Sequence, residues 1–397
     1  LGLSTIVLGG LVEKFQLQGQ ILGEVAMGAV LKHSSDFNLA REATLSSGLS
    51  PHTPGITITR ACGTGLDALI TVANKIAVGQ IEAGIGGGSD TTSDVPIAVS
   101  KKLRRRLLDL NRARNLGERI KAALKGFSFG EFKPEFPGVA EPRTGKSMGE
   151  SCEDMAKQWQ IRREDQDLLA YESHQKAAAA YARGFYSDLV MPLRGLDKDN
   201  ILRPDTTLEK LATLKPAFDK RSGNGTLTAG NSTNLSDGAS AALLSSEAWA
   251  QANGKEIQAY LVDAQVAAVD FVAGEGLLMA PAWAVAQLLK RNNLKLQDFD
   301  FYEIHEAFAA QVLCTLKAWE SEEFCKTKLG IDGALGSIDR SKLNVVGSSL
   351  ALGHPFAATG ARIVATAAKL LKEKGQGRVL ISICTAGGMG VAAIVER

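Results

Sequence analysis

The chain has 397 residues, of which 45% are hydrophobic, 22% charged and only 6% aromatic. These proportions belong to an ordinary globular chain of two or three structural units and exclude disordered, collagenous and coiled-coil classes. Its 45 Lys and Arg against 43 Asp and Glu leave +2, which gives no ground for a nucleic acid partner, and no apolar run reaches the roughly 18 residues of a membrane span.

The opening segment LGLSTIVLGGLVEKF reads as a helix and lacks the basic flank and small-residue cleavage site of a signal peptide. From Gly55 to Asp90 the order is strand (GITITR), turn (ACGTG), helix (LDALITVANKIAVG, apolar at Leu66, Leu69, Ile70 and Ala73) and strand (IEAGIGGGSD). Residues 91–225 break this pattern with long helical stretches and Pro-containing loops, and read as an inserted, mainly helical subdomain. Within it, Lys101 to Pro137 carries eleven Lys and Arg against four Asp and Glu, a net +7 that leaves −5 for the remainder. The neutral total therefore hides a basic patch. TAGNSTNLSDGASAALL follows, a turn region leading into a helix. Next come the strand AYLVDAQVAAV, the helix PAWAVAQLLKRN, the strand FDFYEI and a helix opening at EAFAA.

Near the C-terminus the first unit recurs as LNVVGSS (strand), GHPFAATG (turn), ARIVATAAKLLKEKG (helix), GRVLISIC and VAAIVE (strands). Cys62 and His354 each stand just before a helix start, and Gly86–Gly88 answer Gly387–Gly390, a weak internal repeat. The reading is an α/β protein with two similar halves. Residues 1–90 form the first, completed by 226–255 after the insertion, and 256–397 form the second. Alternating strands and helices argue parallel or mixed sheets covered by helices, with helix N-termini meeting in a crevice beyond the strand ends.

Four side chains able to handle protons fall at such junctions. Cys62 is flanked by Gly63 and Gly65, where free amides and the helix dipole favour a thiolate. Alone it would read as a small buried hydrophobe. His354, in GHP, can take a thiol proton or donate to an oxyanion. Cys384 ends the strand RVLISIC, and His305 follows FDFYEI. The five cysteines include no CxxC and the five histidines no HExxH, so a reducing compartment is expected and neither a metal site nor a disulfide framework is indicated.

CGTG around Cys62, TAGN ending at Asn231, HEAF at His305, GHPFAATG at His354 and CTAGGMG at Cys384, in this order across the whole chain, resemble the thiolases. The HEAF and ALGHPFAATG wording is most similar to the β-subunit branch of fatty-acid oxidation complexes. The resemblance implies the thiolase fold: two mixed-sheet halves in a layered αβαβα core with an inserted loop domain. It implies cleavage of 3-ketoacyl-CoA by coenzyme A, with condensation of two acetyl-CoA as the alternative direction and a non-catalytic lipid-binding relative as the remaining one. No permanent cofactor is implied, since coenzyme A and acyl-CoA are substrates. By motif, Cys62 is the nucleophile, His354 its activator and Cys384 the second acid/base. His305 holds a water, the backbone amides of Cys62 and Ala386 stabilise an oxyanion, and Met148 and Gly387 line the substrate pocket.

Four positions depart from the family wording: His305 stands where Asn is usual, Ala357 and Ala386 where Gly is common, and Thr59 where Asn is frequent. The family's opening strand has no match, so roughly 30 residues, a strand plus its loop, are expected to be missing before Leu1. The expected partners are a second copy of the chain, as homodimer or homotetramer, and a hydratase/dehydrogenase subunit. Residues 101–126 are the candidate surface for that subunit or for peripheral contact with an anionic membrane. The expected location is cytoplasmic for a bacterial protein and the mitochondrial matrix for a eukaryotic one.

Overall fold

The computed structural model describes all 397 residues, Leu1–Arg397. In the first of two sheets, β1 (Glu24–Gly28), β2 (Gly55–Thr57) and β3 (Ala83–Asp90) are parallel. β4 (Gly238–Ser245) adds antiparallel to β3, giving the order β2-β1-β3-β4. In the second, β5 (Tyr260–Ala268), β6 (Phe301–Ile304), β7 (Arg378–Thr385) and β8 (Met389–Glu396) take the order β5-β8-β7-β6, with β6 and β7 parallel and the other pairs antiparallel.

Strand periodicity sorts the core into layers, because successive side chains leave opposite faces of a sheet. Val25, Met27 and Ile85 pack with Leu8 and Val12 of α1 (Gly2–Lys14) and Ala40 and Ala43 of α2 (Leu39–Leu45). Ala26, on the other face, meets Ala68 and Val72 of α3 (Thr64–Ala77). In the second sheet Val379, Ile381 and Ile383 face Leu66 and Leu69 of α3 and Ile363, Val364 and Ala367 of the helix Thr359–Lys374. Leu380, Ala392 and Ile394 face Val285 and Leu288 of the helix Ala280–Asn292. The result is αβαβα, the layering the resemblance implies.

The two central helices touch backbone to backbone. A Cβ on Gly65 would lie 2.5 Å from the Ala357 carbonyl oxygen, and one on Gly360 2.2 Å from the Leu66 nitrogen. Only glycine fits at either position, and the contact draws both helix N-termini to one spot.

Several sequence expectations change. GASAALLS is β4, not a helix: its small residues suit a helix in isolation, but eight consecutive pairings with β3, half-buried against α1 and the central layer, decide for strand. LNVVGSS is not a strand. Leu343 makes one bridge to Tyr302, and Asn344 turns left-handed (φ 45°) so that its side chain binds the Ile304 N–H and C=O, taking the hydrogen bonds a strand would make. Gly86–Gly88 lie inside β3, where a Cβ on Gly86 would strike Leu69 of α3, whereas Gly387 and Gly388 form the β7–β8 turn with φ of 77° and 70°. The two glycine groups therefore do different work. The α3 face that is buried is Leu66, Ala68, Leu69 and Val72, not Ile70 and Ala73. The helix after His305 starts only at Ala309. On the outer side β8 pairs with β5, while β4, in the matching place of the first sheet, has no strand beside it.

Residues 91–225, between β3 and β4, hold α4 (Lys101–Arg112), α5 (Leu116–Leu124), α6 (Met148–Gln158), α7 (Arg163–Ala182) and the short helix Leu208–Ala212. In the basic stretch Arg106 is not solvated. It is buried, pairs with Glu131 at 3.0 Å and donates to the Ala122 carbonyl, so it fastens α4 to α5.

Candidate active site

The turn between β2 and α3 is tight: Ala61 is left-handed (φ 43°), and the Thr64 hydroxyl accepts from Arg60 N–H and donates to the Ala61 carbonyl. This sets Cys62 immediately before α3. Gly63 lies against the second sheet, where a Cβ would come within 2.8 Å of Val391. The second half brings His354 to the same place, with its Nε2 3.1 Å from the Cys62 Sγ. His354 Nδ1 is 2.6 Å from the Thr359 hydroxyl at the start of the long central helix.

His305, just beyond β6, lies beside His354 with ring centroids 4.2 Å apart and the rings tilted by 45°. Its Nδ1 lies 2.7 Å from Ser349 Oγ, while its Nε2 is buried without a partner. Cys384, 1% exposed, is next to last in β7. The Ala386 N–H just after it approaches the Cys62 sulfur, as does the amide of Cys62 itself. Thus Cys62, His354, His305, Cys384 and the two amides gather at one point.

Electrostatics differ from the thiolate expected at a helix start. Burial pushes the Cys62 thiol up to about 12, opposed by the amides of Ala386 and Cys62, with the Asp90 and Glu141 charges adding to the rise. Burial also raises Cys384 well above the ordinary thiol range. Burial first, then the Arg362 charge, lowers His354 to about 3, and burial, His354 and Arg362 lower His305 well below the usual imidazole range. The resting site is a neutral thiol beside two neutral imidazoles, because low-polarity surroundings penalise an ion pair more than three or four dipoles recover.

Cys62, His305 and His354 present ligand atoms all within 4.8 Å of one another, a Cys-His-His set suited to a soft cation. Sequence spacing did not reveal it. The Arg362 charge that depresses both imidazoles equally opposes a metal cation there, so no metal role follows from the cluster.

The other motif residues have varied places. Met148 begins α6 and packs at the rim of the apolar cluster that holds Cys384 and Phe308, without a polar contact to the sulfur. Gly387 donates its N–H to Glu141 Oε1 at 2.8 Å, so a carboxylate from the inserted segment reaches the turn after Cys384. Asn231 is scaffolding: its amide joins Asp167 to the Thr226 carbonyl and accepts from Thr228 N–H. Thr59 donates weakly to the Ala29 carbonyl.

Sequence reasoning missed Asp90, Ser349, Thr359, Arg362 and Glu141. Asp90, last in β3, accepts from the N–H groups of Val30, Leu31 and Ala357 at 2.7–3.0 Å, tying the turn after His354 to the first half. A lone acid closing a strand of glycines was its only trace.

Two family models cover the chain: the thiolase N-terminal domain over residues 1–248 and the thiolase C-terminal domain over 255–397. A 3-ketoacyl-CoA thiolase of Shewanella baltica (strain OS155) is 42% identical over 402 residues, spanning 100% of this chain and 91% of the relative. One of Shewanella loihica is equally similar over the same shares. Among solved structures, the acetyl-CoA acetyltransferase of Bacillus anthracis superposes with a TM-score of 0.79 at 32% identity, covering 99% of this chain and 92% of that one. The human mitochondrial 3-ketoacyl-CoA thiolase in complex with CoA gives 0.81 at 29%, covering 99% and 91%. With both halves of the chain matched by the family's two domains and a full-length relative 42% identical, the chain belongs to the thiolase family.

Proposed function

We propose that the protein cleaves 3-ketoacyl-CoA with coenzyme A to acetyl-CoA and an acyl-CoA shortened by two carbons, as in fatty acid β-oxidation. The observation that carries this reading is the 3.1 Å approach of Cys62 to His354 beside the buried Cys384.

The Cys62 sulfur attacks the C3 ketone as its proton passes to His354 Nε2. The amides of Cys62 and Ala386 and the His305 and His354 side chains surround the sulfur, where oxygen charge develops in acylation and deacylation. Breaking the C2–C3 bond expels the acetyl-CoA enolate, which Cys384 protonates. The incoming coenzyme A thiol then gives its proton to the Cys384 thiolate and attacks the Cys62 thioester. His354 returns its proton to Cys62, and both cysteines end as they began. Two neutral thiols suit this sequence, since one must be an acid strong enough only for an enolate and the other needs its base for a single step. Thiolysis assays of the purified chain against 3-ketoacyl-CoAs of increasing length test the reading, and absence of CoA-dependent cleavage at every length would defeat it.

The α4–α5 hairpin supports a partner surface. Leu107, Leu108, Leu116, Ile120 and Leu124 are all about half exposed or more among its basic residues, and Phe129 beyond them is 85% exposed. We read it as the docking face for a hydratase/dehydrogenase subunit. Arg104→Ser with Arg105→Ser should weaken co-purification of the two subunits while leaving thiolysis unchanged. Arg106 is excluded from this test because of its bond to Glu131. Unchanged association, or loss only of vesicle binding, would reject the subunit assignment.

A further inference from the structure

The two neighbouring imidazoles contact hydroxyls with different surroundings. Thr359 Oγ1 has no partner besides His354 Nδ1. Ser349 Oγ, in contrast, lies 2.7 Å from Arg362 Nη2 as well as 2.7 Å from His305 Nδ1. A guanidinium can only donate and does not lose its proton in a protein. Ser349 Oγ therefore accepts from Arg362, and its own hydroxyl proton has one remaining nitrogen to go to, His305 Nδ1. The opposite arrangement would aim two donors at Ser349 and leave its buried proton unsatisfied, which is costly away from water.

We propose that Arg362 and Ser349 act as a positioning relay that holds His305 in the tautomer bearing its proton on Nε2, so that His305 is a permanent hydrogen-bond donor aimed into the site. The buried, unpartnered Nε2 is then the free end of that donor chain. His354 takes the opposite tautomer. Thr359 Oγ1, with no second partner, does not fix that ring; the proposed reaction does, because Nε2, 3.1 Å from the Cys62 sulfur, must be free to take the thiol proton, which leaves Nδ1–H toward Thr359. Two rings 4.2 Å apart thus offer one acceptor, for the thiol proton, and one donor, for a carbonyl oxygen. An Asn amide can turn either end toward a ligand, whereas a histidine at 305 requires such a relay to be a reliable donor. The kinetic part of this inference and the His354 tautomer rest on thiolysis as the reaction, and the His305 tautomer does not.

Nitrogen NMR of the resting full-length enzyme labelled in histidine reads the tautomers directly, with His305→Asn used to assign the His305 signals. The wild type should show Nε2–H at His305 and Nδ1–H at His354. Ser349→Ala should convert His305 to a mixture or to Nδ1–H, and Ser349→Thr should restore Nε2–H. Arg362→Lys, which keeps a donor, should behave as wild type. In thiolysis Ser349→Ala should lower kcat at least about tenfold, short of the roughly hundredfold that outright removal of an oxyanion donor costs because a mixture of tautomers still donates part of the time, with KM nearly unchanged and recovery in Ser349→Thr. Nδ1–H at His305 in the wild type, or an unaltered tautomer in folded Ser349→Ala, overturns the relay. A shifted tautomer with wild-type kcat overturns its role in the reaction, and a wild type without thiolysis refutes the function and not the relay.

Discussion

Cys62 and His354 are 292 positions apart in sequence and 3.1 Å apart in space, one contributed by each half of the fold. The chemistry is a property of how the halves meet. Cys62→Ser keeps the size and the hydrogen bond to His354 but removes the thiol that His354 activates to form the thioester. Thiolysis should fall by at least about a thousandfold, in the range seen when a covalent nucleophile is deleted. Circular dichroism should remain that of the wild type. Substantial thiolysis in this variant would refute the assignment.

Neutrality of the resting pair can be read from alkylation. With Cys62 pushed to about 12 and His354 down to about 3, only a minute thiolate fraction exists at neutral pH. Inactivation by iodoacetamide should therefore accelerate roughly tenfold per pH unit from 6 to 9, following the thiolate. An imidazolium–thiolate pair would instead give a plateau below pH 7, and such a plateau would show the pair to be ionised.

Glu303, in β6, is 1% exposed and burial raises it to about 8, the Arg362 charge opposing and Glu306 adding. The folded state therefore holds its proton more tightly than the unfolded chain does. For a raised carboxyl, the stabilisation is complete below the unfolded value near 4.3 and drains away as pH climbs through about 8. Melting temperature should decline from pH 6 to 9, and Glu303→Gln should flatten that decline and exceed the wild type at pH 9. Parallel melting curves for the two proteins would contradict the buried-acid account.

Gly360→Ala places a methyl 2.2 Å from the Leu66 nitrogen and 2.8 Å from its Cβ. The helices must separate, at a cost of about 2 kcal/mol or more, and denaturant titration should show it. Thiolysis by the folded fraction should also fall, since Cys62 and His354 stand just before the two helices. Gly138→Ala, whose added methyl meets nothing within 4 Å, is the control and should change neither. Equal stability of both variants would discount the close contact.

Junction residues were legible because strand, Gly-flanked turn and helix leave a local trace: Cys62, His354, Cys384 and His305 were all readable before any coordinates. Ser349, Arg362 and Asp90 were not. Each acts on a residue brought near by folding, and a Ser or Arg on a helix looks alike whether it meets water or an imidazole. The same limit explains the strand read into LNVVGSS. Its apolar, β-branched composition is real, but Asn344 supplies the edge hydrogen bonds from a side chain, an exchange no periodicity records. Arg106 sat unnoticed in a run of charges for the same reason: only Glu131 distinguishes it from Arg104 and Arg105.

The glycine contact between the central helices bears on how such a chain could be recombined. The halves look like duplicated modules, yet Gly65 of one and Gly360 of the other interlock through main-chain atoms and leave no side chain to absorb a mismatch. A hybrid joining this N-terminal half to another protein's C-terminal half would be active only if the foreign half carried its own glycine opposite Leu66. At that seam neither half can change in sequence independently of the other.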